Sequence, residues 1–393
     1  MPLKRLGLLL VISLLGSPLW AQPAKAPAPA KAPEQPQAPK TIQPEPALEG
    51  ATWDGSQFVR ADRKGNVFLF RGNAFEVYPE AETGALGEPR RLKATAETST
   101  LVHDAVLSPG GDQWLVYADI GTRLFVDGKE KLVPALAWRP WSISFLRDTP
   151  VVAVIPLQIG ETGKDLEDLA AVPWLLALGN GRWETLVDHR RLTGKDLAGN
   201  GRDSNDYVAD TAIFMRADHE GKLWVGRQYA YQVERWSASG RPLVEIVVDG
   251  GKVEERKLRE NSQAKGAKNY HAFRAKPAVL DLVEGTDHRM YFLVSRPDGS
   301  LVLDRYDPAL AVLERVPLDL KKTGRFTLAA GKEGLYLAAW NGREGRWRIT
   351  WEVLEEAGWK KVNEAEIGGN TDSASLSSNG SDPQKESGHN DLS

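Results

Sequence analysis

Cysteine is absent from the 393-residue chain. That removes disulfide frameworks, thiolate nucleophiles, Cys-ligated zinc, iron–sulfur clusters and the thiol of a lipoprotein anchor, and leaves histidine and carboxylates as the side chains able to hold a metal. A dominant charge is missing too. With 50 Lys+Arg against 53 Asp+Glu and a net charge of -3, no bulk field draws the chain onto nucleic acid or anionic lipid, and a nucleic-acid partner is not expected. Sustained helical periodicity is lacking, the best short stretch being residues 165–171. HExxH, GxSxG and GxxxxGK do not occur, which leaves zincin, α/β-hydrolase and P-loop readings without support. Ser262-Gln-Ala-Lys265 and Lys322-Thr-Gly324 imitate acyl-serine enzyme signatures, but the intervening Ser-x-Asn element is missing.

The N-terminus has secretory order: Lys4 and Arg5, an apolar run from Leu6 to Gly16, then Pro18-Leu-Trp-Ala21. Cleavage is expected after Ala21, with an exported product, periplasmic or extracellular. An uncleaved anchor is the alternative, but Pro18 ends the run well short of the roughly 20 residues a spanning helix needs. Residues 22–48 hold eight of the 24 prolines in a Lys-Ala-Pro rhythm and read as an extended linker, reaching roughly 80 Å at about 3.1 Å per residue. Residues 366–393 are rich in Ser, Asn, Asp and Gly and read as a disordered tail. Residues 49–365 between them read as one domain.

Within that domain, Gly 37 and Trp 13 favour turns and aromatic strands over helical bundles. Short β-rich runs follow Gly or Asp turns, with anchors at Phe68, Trp114, Val152, Trp224, Tyr291 and Tyr336. Each is followed by a second β-rich run, at Phe75–Tyr78, Arg123–Val126, Trp174–Leu178, Val233–Trp236, Leu301–Tyr306 and Trp347–Trp351. Two hairpins at this spacing make one propeller blade, so the expected fold is all-β, a β-propeller of six four-stranded blades. The turn motif is weakest around Val152, where the greatest irregularity is expected. Trp114, Trp224, Trp236 and Trp351 occupy anchor positions and are assigned to packing between blades.

Asp218-His-Glu-Gly-Lys-Leu-Trp-Val-Gly, followed by Gln232-Val-Glu-Arg-Trp-Ser-Ala-Ser-Gly240, resembles an NHL-type six-bladed β-propeller repeat. The stretches from Asp62 to Tyr78 and from Asp287 to Tyr306 are looser copies. The resemblance implies a disc with a central channel. It implies no single activity, since such propellers include binding scaffolds and lactonase-like enzymes, and it carries over no catalytic residue.

Two long insertions fall on links between blades. One holds Asp196, Asn200, Asp203, Asn205, Asp206 and Asp210, hard oxygen ligands suited to Ca2+ or another divalent cation, although their spacing is not that of an EF-hand. An acidic turn-forming loop kept in water explains the same residues. The other insertion, residues 252–276, is basic and carries Tyr270, His271, Phe273 and Arg274, a mix able to hold an anionic or sugar-like ligand. A solvated loop is again the alternative. Around the disc, Asp54, His103, Asp104, Arg139, Tyr207, Asp210, His271, Arg274 and Arg325 form the expected ring at the channel mouth. The function expected from this ring is non-enzymatic binding of a small ligand or an envelope protein partner, with no obligatory cofactor. A metal-dependent lactonase or esterase is the alternative, Asp54, Asp104 and Asp210 being its candidate ligands, and a purely structural envelope scaffold is a third reading.

Overall fold

The computed structural model describes residues 40–46, 57–62, 64–71, 74–79, 90–93, 102–119, 121–127, 129–136, 138–155, 173–188, 213–228, 230–248, 278–296, 298–321, 325–340 and 345–369. After a two-residue strand, β1 (Glu45–Pro46), the chain builds antiparallel sheets in sequence order. Blade 1 is β2 (Gln57–Ala61), β3 (Asn66–Arg71), β4 (Ala74–Pro79) and β5 (Arg90–Lys93). Blade 2 is β6 (Val102–Leu107), β7 (Gln113–Ala118), β8 (Gly121–Val126) and β9 (Lys129–Lys131). Blade 3 is β10 (Arg139–Leu146), β11 (Thr149–Ile155), β12 (Pro173–Gly179) and β13 (Arg182–Asp188). Blade 4 is β14 (Ile213–Ala217), β15 (Leu223–Arg227), β16 (Gln232–Trp236) and β17 (Pro242–Val248). Blade 5 is β18 (Val279–Glu284), β19 (Met290–Ser295), β20 (Ser300–Asp307) and β21 (Val312–Lys321). Blade 6 is β22 (Arg325–Ala330), β23 (Gly334–Trp340) and β24 (Gly345–Thr350), with β1 as its fourth strand.

The first strands touch one another in a closed ring: β2 meets β6, β6 meets β10, and so on until β22 returns to β2. The fold is therefore a six-bladed β-propeller with its first strands at the axis. All six sequence anchors, from Phe68 to Tyr336, lie in the second strand of their blade. Second strands are packed by neighbouring blades on both faces, so they read as continuous apolar runs. Every residue of β19 is buried, whereas every residue of the outermost β9 is exposed.

Aromatic side chains fill the wedges between blades. Trp114 meets Phe68 and Phe70 of blade 1 at 4.7 and 5.9 Å, Trp236 meets Trp174 of blade 3 at 6.0 Å, and Trp224 meets Tyr306 of blade 5 at 5.7 Å. A fully buried side chain such as Phe292 contributes about 1.5–3 kcal/mol through the area it removes from water. Trp351 departs from the sequence reading. Thr350 ends the strand and caps a short helix, α1 (Trp351–Glu355), by accepting from the Val353 N–H, and Trp351 packs from that helix onto Tyr291 at 5.7 Å.

The described residues extend past both ends of 49–365. In the stretch read as linker, Glu45 and Pro46 pair with Arg348 and Trp347 of β24, while buried Ile42 bonds through its backbone to blade 5 at Pro317 and Asp319. Beyond α1, β25 (Lys360–Lys361) pairs with β21, and β26 (Ala365–Gly369) pairs with β17. These strands cover sheet edges whose backbone groups would otherwise be unpaired. Their contribution comes mainly from the backbone, which explains why polar, proline- or glycine-bearing sequence gave no strand signal. No helix among the described residues is long and apolar enough to cross a membrane.

Candidate functional site

The inner strands carry a charged plug. Arg60 of β2 donates to Asp104 of β6 at 2.5 Å and to Asp281 of β18 at 3.5 Å, while Arg216 of β14 reaches Asp281 at 2.7 Å and Asp104 at 3.9 Å. Two arginines and two aspartates thus form a closed, neutral ring contributed by four blades, and all four are buried. Backbone groups complete it. Asp281 accepts from the Leu328 and Leu282 N–H groups at 3.0 and 2.9 Å, and Asp104 from the Ala105 N–H at 2.9 Å. Arg60 and Arg216 donate to the carbonyls of Val59 and Met215, each at 2.7 Å. The remaining inner strands add neutral groups: Thr327 of β22 accepts from the Val59 N–H and Ser142 of β10 from the Met215 N–H. Burial and the facing Arg216 lower the Arg60 pKa, whereas Asp281 and Asp104 outweigh burial and raise that of Arg216.

Above this plug, at the C-terminal ends of the inner strands, lies a cavity of about 390 Å³ to which all six blades contribute, including Arg60, Ser108, Ser144, Arg216, Glu284 and Lys332. Its rim is made by the turns between first and second strands. In blades 1, 2 and 4 the turn closes with a glycine N–H donating back to the residue that opens it, Gly65 to Asp62, Gly111 to Ser108 and Gly221 to Asp218. All three glycines have φ between 70° and 84°, where a side chain is disfavoured. Blade 5 breaks the pattern. Its equivalent turn closes from His288 to Gly285, and His288 itself adopts φ 62°.

That histidine meets a second one. His219 opens onto the same mouth from the blade 4 turn, the two rings lie 4.0 Å apart, and Glu284 at the end of β18 faces both. Glu284 Oε2 accepts from the His219 N–H at 2.6 Å, its Oε1 contacts His219 Nδ1, and His288 Nδ1 stands 3.9 Å from Oε1. Burial pushes the Glu284 pKa up against the opposing pull of His219. The three side chains offer ligand atoms within 4.8 Å of one another.

The residues expected at a channel mouth fall elsewhere. Asp104 is in the buried plug, already paired with Arg60. His103 pairs with Asp119 at 2.5 Å and lines a groove of about 670 Å³ beside blade 2, with Tyr117, Arg123 and Trp138. That groove is the larger space, but Arg123 is paired locally with Glu130 and His103 with Asp119, and it is lined by blade 2, the link into blade 3 and the start of β10. The axial mouth, where six blades converge, is the better candidate. Arg139 and Arg325 begin β10 and β22, at the ends of the inner strands away from this cavity. Asp54, Tyr207, His271, Arg274 and the acidic set Asp196, Asn200, Asp203, Asp206 and Asp210 lie outside the described residues. Arg60, Arg216, Asp281, Glu284 and the histidine pair were not singled out as site residues; the signal for the pair was two of six histidines falling in matching turns of successive blades.

No protein-family model matches the sequence, and no curated protein matches it. Among solved structures the chain is similar to a streptogramin B lyase, with 12% identity, 81% of this chain and 95% of that one covered, and a TM-score of 0.40. It is similar to a protein of unknown function from Bacteroides thetaiotaomicron, with 7% identity, coverage of 79% and 74%, and a TM-score of 0.45. The C-terminal WD40 domain of Sif2 aligns at 9% identity, with coverage of 75% and 97% and a TM-score of 0.40. At these identities and scores the likenesses add nothing to what the strand topology establishes.

Proposed function

We propose that this chain is an exported, non-enzymatic β-propeller of NHL-like type that binds a small, oxygen-rich ligand, a sugar or a carboxylate, at the axial mouth rimmed by the turns between first and second strands. The observation that carries the reading is a concave cavity lined by all six blades, with apolar walls and a few convergent polar groups, the arrangement that small-ligand sites favour. Its lining supplies the Lys332 ammonium, the His219 and His288 rings and the Ser144 hydroxyl above a floor of Arg60 and Arg216, a set that recognises oxygen acceptors. The lactonase-like alternative calls for axial carboxylates free to hold a divalent cation. Asp104 and Asp281 are both engaged by arginine, so neither of these two axial carboxylates supports that alternative, and binding is the reading proposed.

The test is isothermal titration of the full chain against a panel of monosaccharides and small carboxylates, repeated with Thr286→Trp. Thr286 is an exposed rim residue, so a bulky indole there obstructs the mouth while leaving the core alone. Binding by at least one panel member, lost in Thr286→Trp, supports the reading. No binding, or binding indifferent to Thr286→Trp, overturns it.

A further inference from the structure

We infer that His219, Glu284 and His288 form a binding site for a borderline transition-metal ion of the Zn2+ type at the rim of the axial mouth. Two imidazole nitrogens and one carboxylate suit Zn2+ or Co2+, whereas Ca2+ and Mg2+ prefer sites made wholly of oxygen. The ligand atoms already lie within 4.8 Å of one another. Tetrahedral zinc with bonds of about 2.0–2.1 Å separates its ligands by roughly 3.3 Å. Closing His288 Nδ1 from its 3.9 Å distance to Glu284 Oε1 needs only a small rotation of a side chain that is 62% exposed.

Three further features agree with a metal-binding role. The His219 N–H holds Glu284 Oε2, which fixes the carboxylate while Oε1 faces both rings. The contact between that oxygen and His219 Nδ1 is an Nδ1–H hydrogen bond in the metal-free chain, and a metal would take the place of that proton. The backbone supplies the third. His288 occupies a left-handed position where the matching turns of blades 1, 2 and 4 have Gly65, Gly111 and Gly221. Asp127, Arg147, Asn180 and Ala311 are also left-handed; His288 is the one among them that stands beside a second histidine and a carboxylate. A structural His–Glu ion pair accounts for His219 and Glu284 but gives His288 no reason to be there.

This inference does not rest on the sugar or carboxylate reading, and its test contains no organic ligand. The full chain, stripped with a chelator, is titrated with Co2+ by visible absorption and with Zn2+ by calorimetry, alongside His288→Gly, His219→Ala and Glu284→Gln. One ion per chain is expected, with affinity reduced roughly tenfold or more in each variant. His288→Gly keeps the His219–Glu284 pair and relieves the left-handed turn, so its metal-free melting temperature should not fall, which separates lost ligation from lost folding. Absence of stoichiometric binding overturns the site. So does binding that His288→Gly leaves unchanged, since the ion would then be held by other histidines.

Discussion

Replacing Asp281 by Asn keeps the volume at the centre of the propeller and removes one charge from the axial ring. Asp281 is fully buried and accepts four hydrogen bonds, from Arg216 Nη2 at 2.7 Å, Arg60 Nη1 at 3.5 Å, and the Leu282 and Leu328 N–H groups at 2.9 and 3.0 Å. In the variant two buried guanidiniums share only Asp104, and an amide must turn its NH2 toward an arginine or a backbone N–H. Breaking one side of a buried ion pair costs about 3–5 kcal/mol because the partner charge is left uncompensated. With a urea dependence near 3 kcal/mol/M, the midpoint should fall by about 1–1.7 M. Equilibrium urea unfolding at pH 7, followed by tryptophan fluorescence, reads this directly. Arg216→Gln placed on top of Asp281→Asn returns the ring to a single Arg60–Asp104 pair, and it should recover a substantial part of the loss. A midpoint shift corresponding to less than about 1 kcal/mol, or a double variant no better than the single one, would show that the ring is solvated rather than a sealed plug.

Tyr231 and Tyr291 are held protonated, first by burial and then by Asp304 and Asp287. Their folded pKa values lie above the unfolded value of about 10, so the stability they add is present below that pH. It should drain away above it at about 1.4 kcal/mol per pH unit for each tyrosine; a pH series of urea midpoints checks this, and Tyr231→Phe should make the slope shallower. Gly226→Ala would place a Cβ 2.7 Å from the Leu282 methyl of the next blade and should cost about 1–3 kcal/mol by overpacking, seen as a lower melting temperature. Truncation after Gly358 removes buried Val362 and the strands covering β17 and β21. A loss of about 2–4 kcal/mol with concentration-dependent association, measured by light scattering, is expected. Export predicts a mature N-terminus near Gln22, which N-terminal sequencing of the protein from its native host reads.

The second strand of each blade was legible because both of its faces pack against neighbouring blades. Val67-Phe-Leu-Phe70 and Leu223-Trp-Val225 are apolar on successive positions, and the turn before them is marked by Asp and Gly. Even the blade around Val152, whose turn motif is weak, has the same strand, with Val151, Val152, Ala153 and Val154 all buried. Its turn is simply shorter, with Arg147 taking the left-handed position at φ 56°. First strands were harder to read, since their axial positions hold Arg60, Asp104, Ser142, Arg216, Asp281 and Thr327, residues that in isolation suggest solvent. Their burial is a property of the ring, visible only when the blades are brought together. Outermost strands were hidden for the opposite reason: β9, β1 and β25 are exposed and held mainly by backbone pairing, which leaves no apolar pattern behind.

The axial mouth was hard to read for a related reason. Loop length and charge density drew attention to the links from fourth to first strands, because long charged insertions stand out in a linear sequence. The turns that rim the mouth are only a few residues long, and each contributes one or two side chains to it. A short turn carries little signal alone; six of them around a common axis concentrate it. The useful comparison is therefore between equivalent turns. Aligned on the hydrogen bond that closes them, Gly65, Gly111, Gly221 and His288 occupy one position, and the residue that departs from the repeat is the one that stands beside Glu284 and the other histidine. In a repeat fold the conformational requirements of a turn recur with each copy. A copy that meets them with a less suitable residue points to a local demand the repeat itself does not impose, and here that demand is located at the axial mouth.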